Sequence, residues 1–387
     1  MIDRAFQNQT LPALGFGTMR LPVLDGDDSR IDERATEEMV DYAMAHGVTY
    51  FDTAWGYHGG NSERVIGRLL AKYPRDSFYL ADKFPGYDLN NLGRVEEIFE
   101  EQLQRCGVDY FDFYLYHNVS EVNIDGYLDK RHGIFPYLME QKRQGRIRHL
   151  GFSAHGGIKV MRRFLAAYGA HMEFCLLQIN YIDWTFQQAR EKVALLREYG
   201  IPVMVMEPLR GGRLVSLPEE YAAQLSALRP RESQAGWAFR FLQSLPEVVT
   251  TLTGMSDFRQ VKENVETYGQ EAPLSRNEMD ALLRIGQEMS RKNALPCTGC
   301  KYCLTYCSEK LNIPELLGLY NEHVFSGGGF LAPMVLQTIP KEKHPGACIG
   351  CGACEEVCPQ QLKISEAMAH FDKMLHPKKA EKESGDA

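Results

Sequence analysis

The chain has 387 residues, 44% of them hydrophobic, which suits two globular domains. A formal net charge of -8 argues against nucleic acid and anionic membrane as partners, because both select a basic face. The opening MIDRAFQNQT is polar and no apolar run reaches the length of a membrane span, so a cytoplasmic protein is expected.

Short β-rich runs then alternate with amphipathic stretches. Strands are expected at Leu14–Thr18, Thr49–Asp52, Phe78–Lys83, Asp112–His117, Ile147–Ser153, Phe174–Asn180, Ile201–Met206 and Val248–Thr253. Helices are expected at Asp32–His46, Ser62–Lys72, Leu92–Cys106, Gly157–Tyr168, Thr185–Tyr199 and Ser256–Thr267. The third sets Val95, Ile98, Phe99, Gln102 and Cys106 on one face. Gly47, Gly107 and Gly200 stand where left-handed C-caps are needed. Eight strands alternating with helices over about 250 residues are the arithmetic of a (β/α)8 TIM barrel. An open doubly wound sheet is the alternative, but LGFGTMR is a poor version of the Gly-rich turn it requires.

One more helix is expected at Leu274–Met289, and cysteine usage changes after it. Only Cys106 and Cys175 precede this point, whereas eight cysteines lie between Cys297 and Cys358. The expected domains are a barrel over 1–290, a small, largely helical cysteine-rich domain over 291–372, and a charged, disordered tail over 373–387. Apart from the βα alternation, no short internal repeat is read from the chain.

Functional side chains of a TIM barrel sit at the C-terminal ends of its strands. Those ends carry Asp52, Lys83 and His117, with Tyr57 in the loop after Asp52. Reducing a carbonyl needs a hydride on carbon and a proton on oxygen. A free tyrosine, with a pKa of about 10, is a poor acid at neutral pH, and a neighbouring lysine cation is expected to lower it. Tyr57 is therefore read as the general acid, Lys83 as its tuner, Asp52 as the partner of Lys83, and His117 as the group that orients the carbonyl. Each residue alone has a plainer reading: a strand-end Asp caps a helix, and a strand Lys faces water. Four complementary groups at the ends of three consecutive strands favour the catalytic one.

The segments LGFGTMRLP, YFDTAWGYHGGNSERVIGRLL, DKF, DFYLYH, GFSAHG and LLQIN resemble the aldo-keto reductase family, in order and along the whole barrel. The resemblance implies NADP(H)- or NAD(H)-dependent reduction of an aldehyde or ketone, reversible as alcohol oxidation, with Asp52, Tyr57, Lys83 and His117 as catalytic tetrad. It also implies a cofactor extended across the barrel mouth. Gly17, Thr18 and Met19 approach its backbone, and Ser153 and Gln178 hold the carboxamide. Ala154 stands where relatives carry Asn, so His155 or Asn180 compensates. Met206–Gly212, with Glu207, Leu209 and Gly211, covers the pyrophosphate. Gly254, Ser256, Gln260, Glu263 and Asn264 form the adenosine end, where Ser256 begins a helix whose N–H groups receive a phosphate. Gly254 and Gln260 replace the lysine and arginine of many NADP-specific members, which leaves Arg259 and Lys262 as substitutes. Substrate choice falls to the loops around Tyr87, Val119–Asp129 and Tyr181–Trp184, with Trp55, Tyr87 and Trp184 as pocket or core aromatics.

The cysteines read Cys297-x2-Cys300-x2-Cys303-x3-Cys307 and Cys348-x2-Cys351-x2-Cys354-x3-Cys358, twice the bacterial ferredoxin spacing for a [4Fe–4S] cluster. In that pattern the fourth cysteine serves the other cluster. The expectation is one cluster on Cys297, Cys300, Cys303 and Cys358 and a second on Cys348, Cys351, Cys354 and Cys307. Two zinc sites are the alternative, but zinc motifs pair C-x2-C units rather than triplets. Ser308 replaces the proline expected after Cys307. The whole chain resembles aldo-keto reductases with ferredoxin-like C-termini. The clusters are expected either to exchange electrons with a redox protein partner or to serve as a structural or sensing module. A nicotinamide-binding sensor or electron carrier with little turnover is the competing reading.

Overall fold

Strand residues two apart share a face. Along Tyr50–Asp52, Tyr79–Phe84 and Phe111–Val119 this groups Tyr50 with Asp52, Ala81 with Lys83, and Phe113 with Leu115 and His117. The apolar member comes first on each strand and the polar member last. Strands of this kind, closed into a barrel, build an apolar floor beneath a polar rim.

The computed structural model describes residues 1–292, 294–297 and 299–376. They form two compact units, Met1–Gly286 and the residues from Gln287 on. The first opens with an antiparallel hairpin, β1 (Asp3–Phe6) and β2 (Gln9–Pro12). Eight parallel strands follow: β3 (Leu14–Gly17), β4 (Tyr50–Asp52), β5 (Tyr79–Phe84), β6 (Phe111–Val119), β7 (Ile147–Ala154), β8 (Cys175–Gln178), β9 (Val203–Met206) and β10 (Val248–Gly254). They close in sequence order, with β10 returning to pair with β3. The TIM barrel expected from the strand arithmetic is therefore present, with each strand where the pattern puts it to within a few residues.

The barrel floor joins Tyr50, Ala81, Phe113, Leu115, Leu176 and Met204 in one buried cluster, and Phe6 of the hairpin plugs it from below. Its ring packs 5.5 Å from Phe113. The hairpin was not expected, because DRAF and QTLP are half polar and lack the apolar β-rich run that marks the barrel strands. The helix Val95–Cys106 buries the expected face, sets Phe99 edge-on to Tyr114, and stops at Gly107, whose φ of 66° needs glycine's freedom. The stretch expected as one helix over Thr185–Tyr199 is two, Asp183–Phe186 and Ala189–Glu198, separated at Gln188 with φ 55°.

The second unit is built of short helices around Leu311, Ile313, Leu316, Leu317, Leu362, Ile364, Met368 and Phe371. Its last helix, Ile364–Leu375, runs past Lys373, where a disordered tail was expected; residues 377–387 of that tail lie outside the described residues. Among the described residues no helix is long and apolar enough to cross a membrane.

Candidate active site

The polar rim brings the four candidate side chains together. Lys83 Nζ lies 2.6 Å from Asp52 Oδ1, 2.7 Å from the Thr53 carbonyl oxygen and 3.3 Å from the Tyr57 hydroxyl. The rings of Tyr57 and His117 meet edge-on, 6.2 Å between centroids. The loop after β4 carries Tyr57 and turns away from it through three left-handed residues, His58 (φ 53°), Gly59 (φ 63°) and Gly60 (φ 91°). Buried His58 locks this turn: Nδ1 donates to the Asp28 carbonyl oxygen at 2.8 Å and Nε2 accepts from the Leu21 N–H at 3.2 Å. Beneath the rim, Gln102 holds the Lys83 strand. Its Nε2 donates to Asp82 Oδ1 (2.8 Å) and the Lys83 carbonyl (3.1 Å), and its Oε1 accepts from Tyr114 (2.6 Å). A polar residue on an otherwise apolar helical face was the signal for this role.

Burial decides the charge states. It opposes the Lys83 ammonium, yet Asp52 and Tyr57 beside it hold its pKa above the ordinary lysine value. Burial likewise raises the Asp52 carboxyl against the pull of Lys83, and the short charge-assisted contact marks an ion pair. For Tyr57 the expectation needs correcting. Burial raises the phenol, Lys83 offsets only part of the rise, and Asp52 adds to it, so the net shift is upward. Tyr57 thus carries its proton through the neutral range. Burial first, then the Lys83 charge, pushes His117 well below 6.5, leaving a neutral imidazole. Asp52 Oδ2 and His117 Nδ1 are buried with no hydrogen-bond partner among the described residues. Open polar atoms at one buried place suit a site built to receive another molecule.

A groove of about 440 Å³ opens beside this rim, lined by Glu207, Leu209 and Gly211 on one side and Gly254, Ser256, Gln260, Glu263 and Asn264 on the other. These are eight of the expected cofactor residues. Arg20 also lines the groove, and sequence reasoning missed it. A Cβ on Gly254 would sit 3.1 Å from the Arg20 stem, so the small residue makes room for the arginine. The Arg20 guanidinium reaches Glu207 at 3.3 Å. Gly17 and Thr18 lie at the end of β3, where the Thr18 hydroxyl donates to the Asp52 carbonyl, and Met19 is 51% exposed. Ser153 is the next-to-last residue of β7, with Oγ accepting from the Asn118 N–H, and Gln178 ends β8, tied through Nε2 to Asp183.

Two expectations at this groove change. Asn180 is fully buried and spent inside the protein: Oδ1 accepts from the N–H groups of Ile182 and Asp183, and Nδ2 donates to Asp183 and the Glu207 carbonyl. It shapes the loop rather than facing the groove. Ser256 does not begin the helix, which starts at Phe258 with Asp257 as N-cap. Asp257 Oδ1 accepts from the Gln260 N–H at 2.9 Å, so a carboxylate already takes the place expected for a phosphate.

In the second unit, Cys297, Cys300, Cys303 and Cys358 line one cavity, and Cys307, Cys348, Cys351 and Cys354 line another. Each set takes three thiols from one motif and the fourth from the other. Among the described residues no three His, Cys, Asp or Glu side chains converge closely enough for a single metal ion.

Residues 13–286 match the model of the Aldo/keto reductase family, and residues 296–363 match a 4Fe-4S dicluster domain. The chain is 31% identical over 225 residues to the NADH-specific methylglyoxal reductase of Escherichia coli (strain K12), covering 53% of this chain and 66% of the relative. It is 30% identical over 207 residues to the probable aldo-keto reductase 1 of Glycine max, covering 51% and 56%. The match thus spans less than two thirds of either relative. An aldo-keto reductase from Bacillus halodurans in its holo form superposes with a TM-score of 0.60 at 24% identity, over 74% of this chain and 96% of that one. One from Klebsiella pneumoniae in complex with NADPH gives 0.60 at 20%, over 74% and 95%.

Proposed function

The chain belongs to the aldo/keto reductase family, and on that premise we propose that it reduces an aldehyde or ketone, reversibly, with Tyr57 as the acid and two [4Fe–4S] clusters held by its C-terminal cysteines. The observation that carries the reading is the buried contact of Lys83 with both Asp52 and Tyr57 at the barrel rim. NADPH or NADH, when bound, supplies the hydride, and the groove between Gly211 and Gly254 is the space that suits it.

The residues divide the remaining work. His117, neutral, donates a hydrogen bond to the carbonyl oxygen and aligns it. Tyr57 gives that oxygen its proton as negative charge grows there. The Lys83 ammonium, 3.3 Å from the phenol, stabilises the tyrosinate left behind. Asp52 keeps Lys83 aimed and compensated in a site that excludes water. In the reverse direction Tyr57 retakes the proton from the alcohol. The Asp257 carboxylate already caps the helix N-terminus beside the groove, so Arg20 and Arg259 are the cations on its walls that can meet cofactor phosphates.

The cavities of the second unit suit clusters because each offers four thiols and aliphatic walls. The clusters, when bound, store single electrons. The test is an assay of anaerobically prepared protein against a panel of aldehydes and ketones, with NADPH and NADH, following loss of the reduced nicotinamide. Carbonyl-dependent turnover is expected; its absence with every carbonyl and both cofactors would contradict the reading.

A further inference from the structure

The two cavities are copies of one design. Each wall residue of the first has a counterpart 51 positions away in the second: Cys297 with Cys348, Cys303 with Cys354, Pro314 with Ser365 and Leu317 with Met368. The crossed halves match too, Cys358 with Cys307 and Leu362 with Leu311. The backbone repeats as well, with φ 69° and 68° at Gly299 and Lys301 against 70° and 76° at Gly350 and Gly352. Ile364 lines both cavities, so the sites share a wall.

Within this duplicated frame, charge does not repeat. Lys301 lines the first cavity where Gly352 lines the second, and Gln360 lines the first where Glu309 lines the second. Both exchanges run the same way: a cation gained on one wall, an anion on the other. Solvent access does not separate the sites, since Cys300 and Cys351 are the exposed thiols of each. Lys343 also reaches the second site, its Nζ donating to the Glu309 carbonyl oxygen at 2.5 Å, and it is countered there by Glu355, whose carboxylate accepts from the N–H of the wall residue Ser365 at 2.8 Å. One contact opposes the trend: the Leu311 N–H donates to Cys307 Sγ at 3.4 Å, which favours reduction at the second site. Lys301 is exposed and Glu309 partly so, and solvent screens both, but each brings a full charge to its wall where the Leu311 N–H brings only a dipole.

Resting on the two-cluster reading above, we infer that the module is electrically polar. The site of Cys297, Cys300, Cys303 and Cys358 holds the first electron, because Lys301 stabilises added negative charge there and Glu309 disfavours it at the other site. An electron given to the second cluster by a one-electron donor leaves it oxidised again and reduces the first, with no bond broken and no proton moved.

The experiment is a redox titration of the full-length, anaerobically reconstituted protein with dithionite, followed by electron paramagnetic resonance, with iron and sulfide content measured beside it. Two reduction steps at different potentials are expected. Lys301→Gln should lower the upper step alone, Glu309→Gln should raise the lower step alone, and the double variant should draw the steps together. Gly352→Lys, placed where Lys301 shows that a lysine tolerates this backbone, should also raise the lower step. Lys301→Gln moving the lower step, or leaving both in place while Gly352→Lys also shifts neither, overturns the polarity. Iron content short of two clusters instead overturns the cluster reading itself, and the polarity with it.

Discussion

At the scale of single residues, burial and pairing set the charge states of the proposed acid and its neighbours. Burial lowers His117 well below 6.5 and raises Tyr57, while its partners hold Lys83 up. None of the three changes charge in the neutral range. A group depressed on the acid side ionises only below its ordinary value, and one raised on the alkaline side only above it. The expected kcat profile for carbonyl reduction is therefore flat from about pH 6 to 9, without an inflection near the ordinary histidine value. A pH series of initial rates at saturating cofactor checks this, and a loss of rate centred near that value would place a charged His117 in the reaction. The residues of the rim were legible in the sequence because strand ends and chemistry coincide at Asp52, Lys83 and His117. The sign of the Tyr57 shift was not, since it depends on how much water the fold removes. Arg20 was not either: nothing in LGFGTMRLP shows that its side chain lies across Gly254, nearly the whole barrel away in sequence.

At the scale of elements, close approach decides which helices pack where. Gly67, in the helix Ser62–Leu70, faces the end of the helix Val95–Cys106, and a Cβ there would lie 2.4 Å from the Cys106 carbonyl oxygen. Backbone cannot yield as a flexible side chain does. Gly67→Ala should therefore cost about 1–3 kcal/mol and lower the thermal midpoint of the barrel, read by circular dichroism. A midpoint equal to that of the parent would show the two helices to be farther apart. The alternation of β-rich runs with amphipathic helical stretches is strong enough to be read directly, and so were the glycine stops. The hairpin β1–β2 escaped because its strands, DRAF and QTLP, are half polar and carry no apolar β-rich run. The break at Gln188 escaped because neither Pro nor Gly marks it.

At the scale of the whole molecule, a barrel and a cysteine module share one chain, and the boundary was visible in where the cysteines fall. The module's duplication was visible only as a doubled motif; helices and walls matching 51 positions apart emerge once the cavities are compared. The crossed ligation proposed for the clusters has a direct consequence. Cys358→Ser, though it alters the second motif, should remove the cluster held by Cys297, Cys300 and Cys303, taking iron from about eight to about four per chain and leaving the other cluster's signal in place. Loss of the signal belonging to Cys348, Cys351 and Cys354 instead would mean that each motif serves its own cluster.

The most direct measurement is the rate of carbonyl reduction by Tyr57→Phe, taken with the affinity for reduced nicotinamide by fluorescence titration. Removing one hydroxyl should lower kcat by about 10²–10⁴-fold and leave cofactor affinity unchanged. A variant that turns over as fast as the parent would show that the proton comes from elsewhere and that Tyr57 is not the acid.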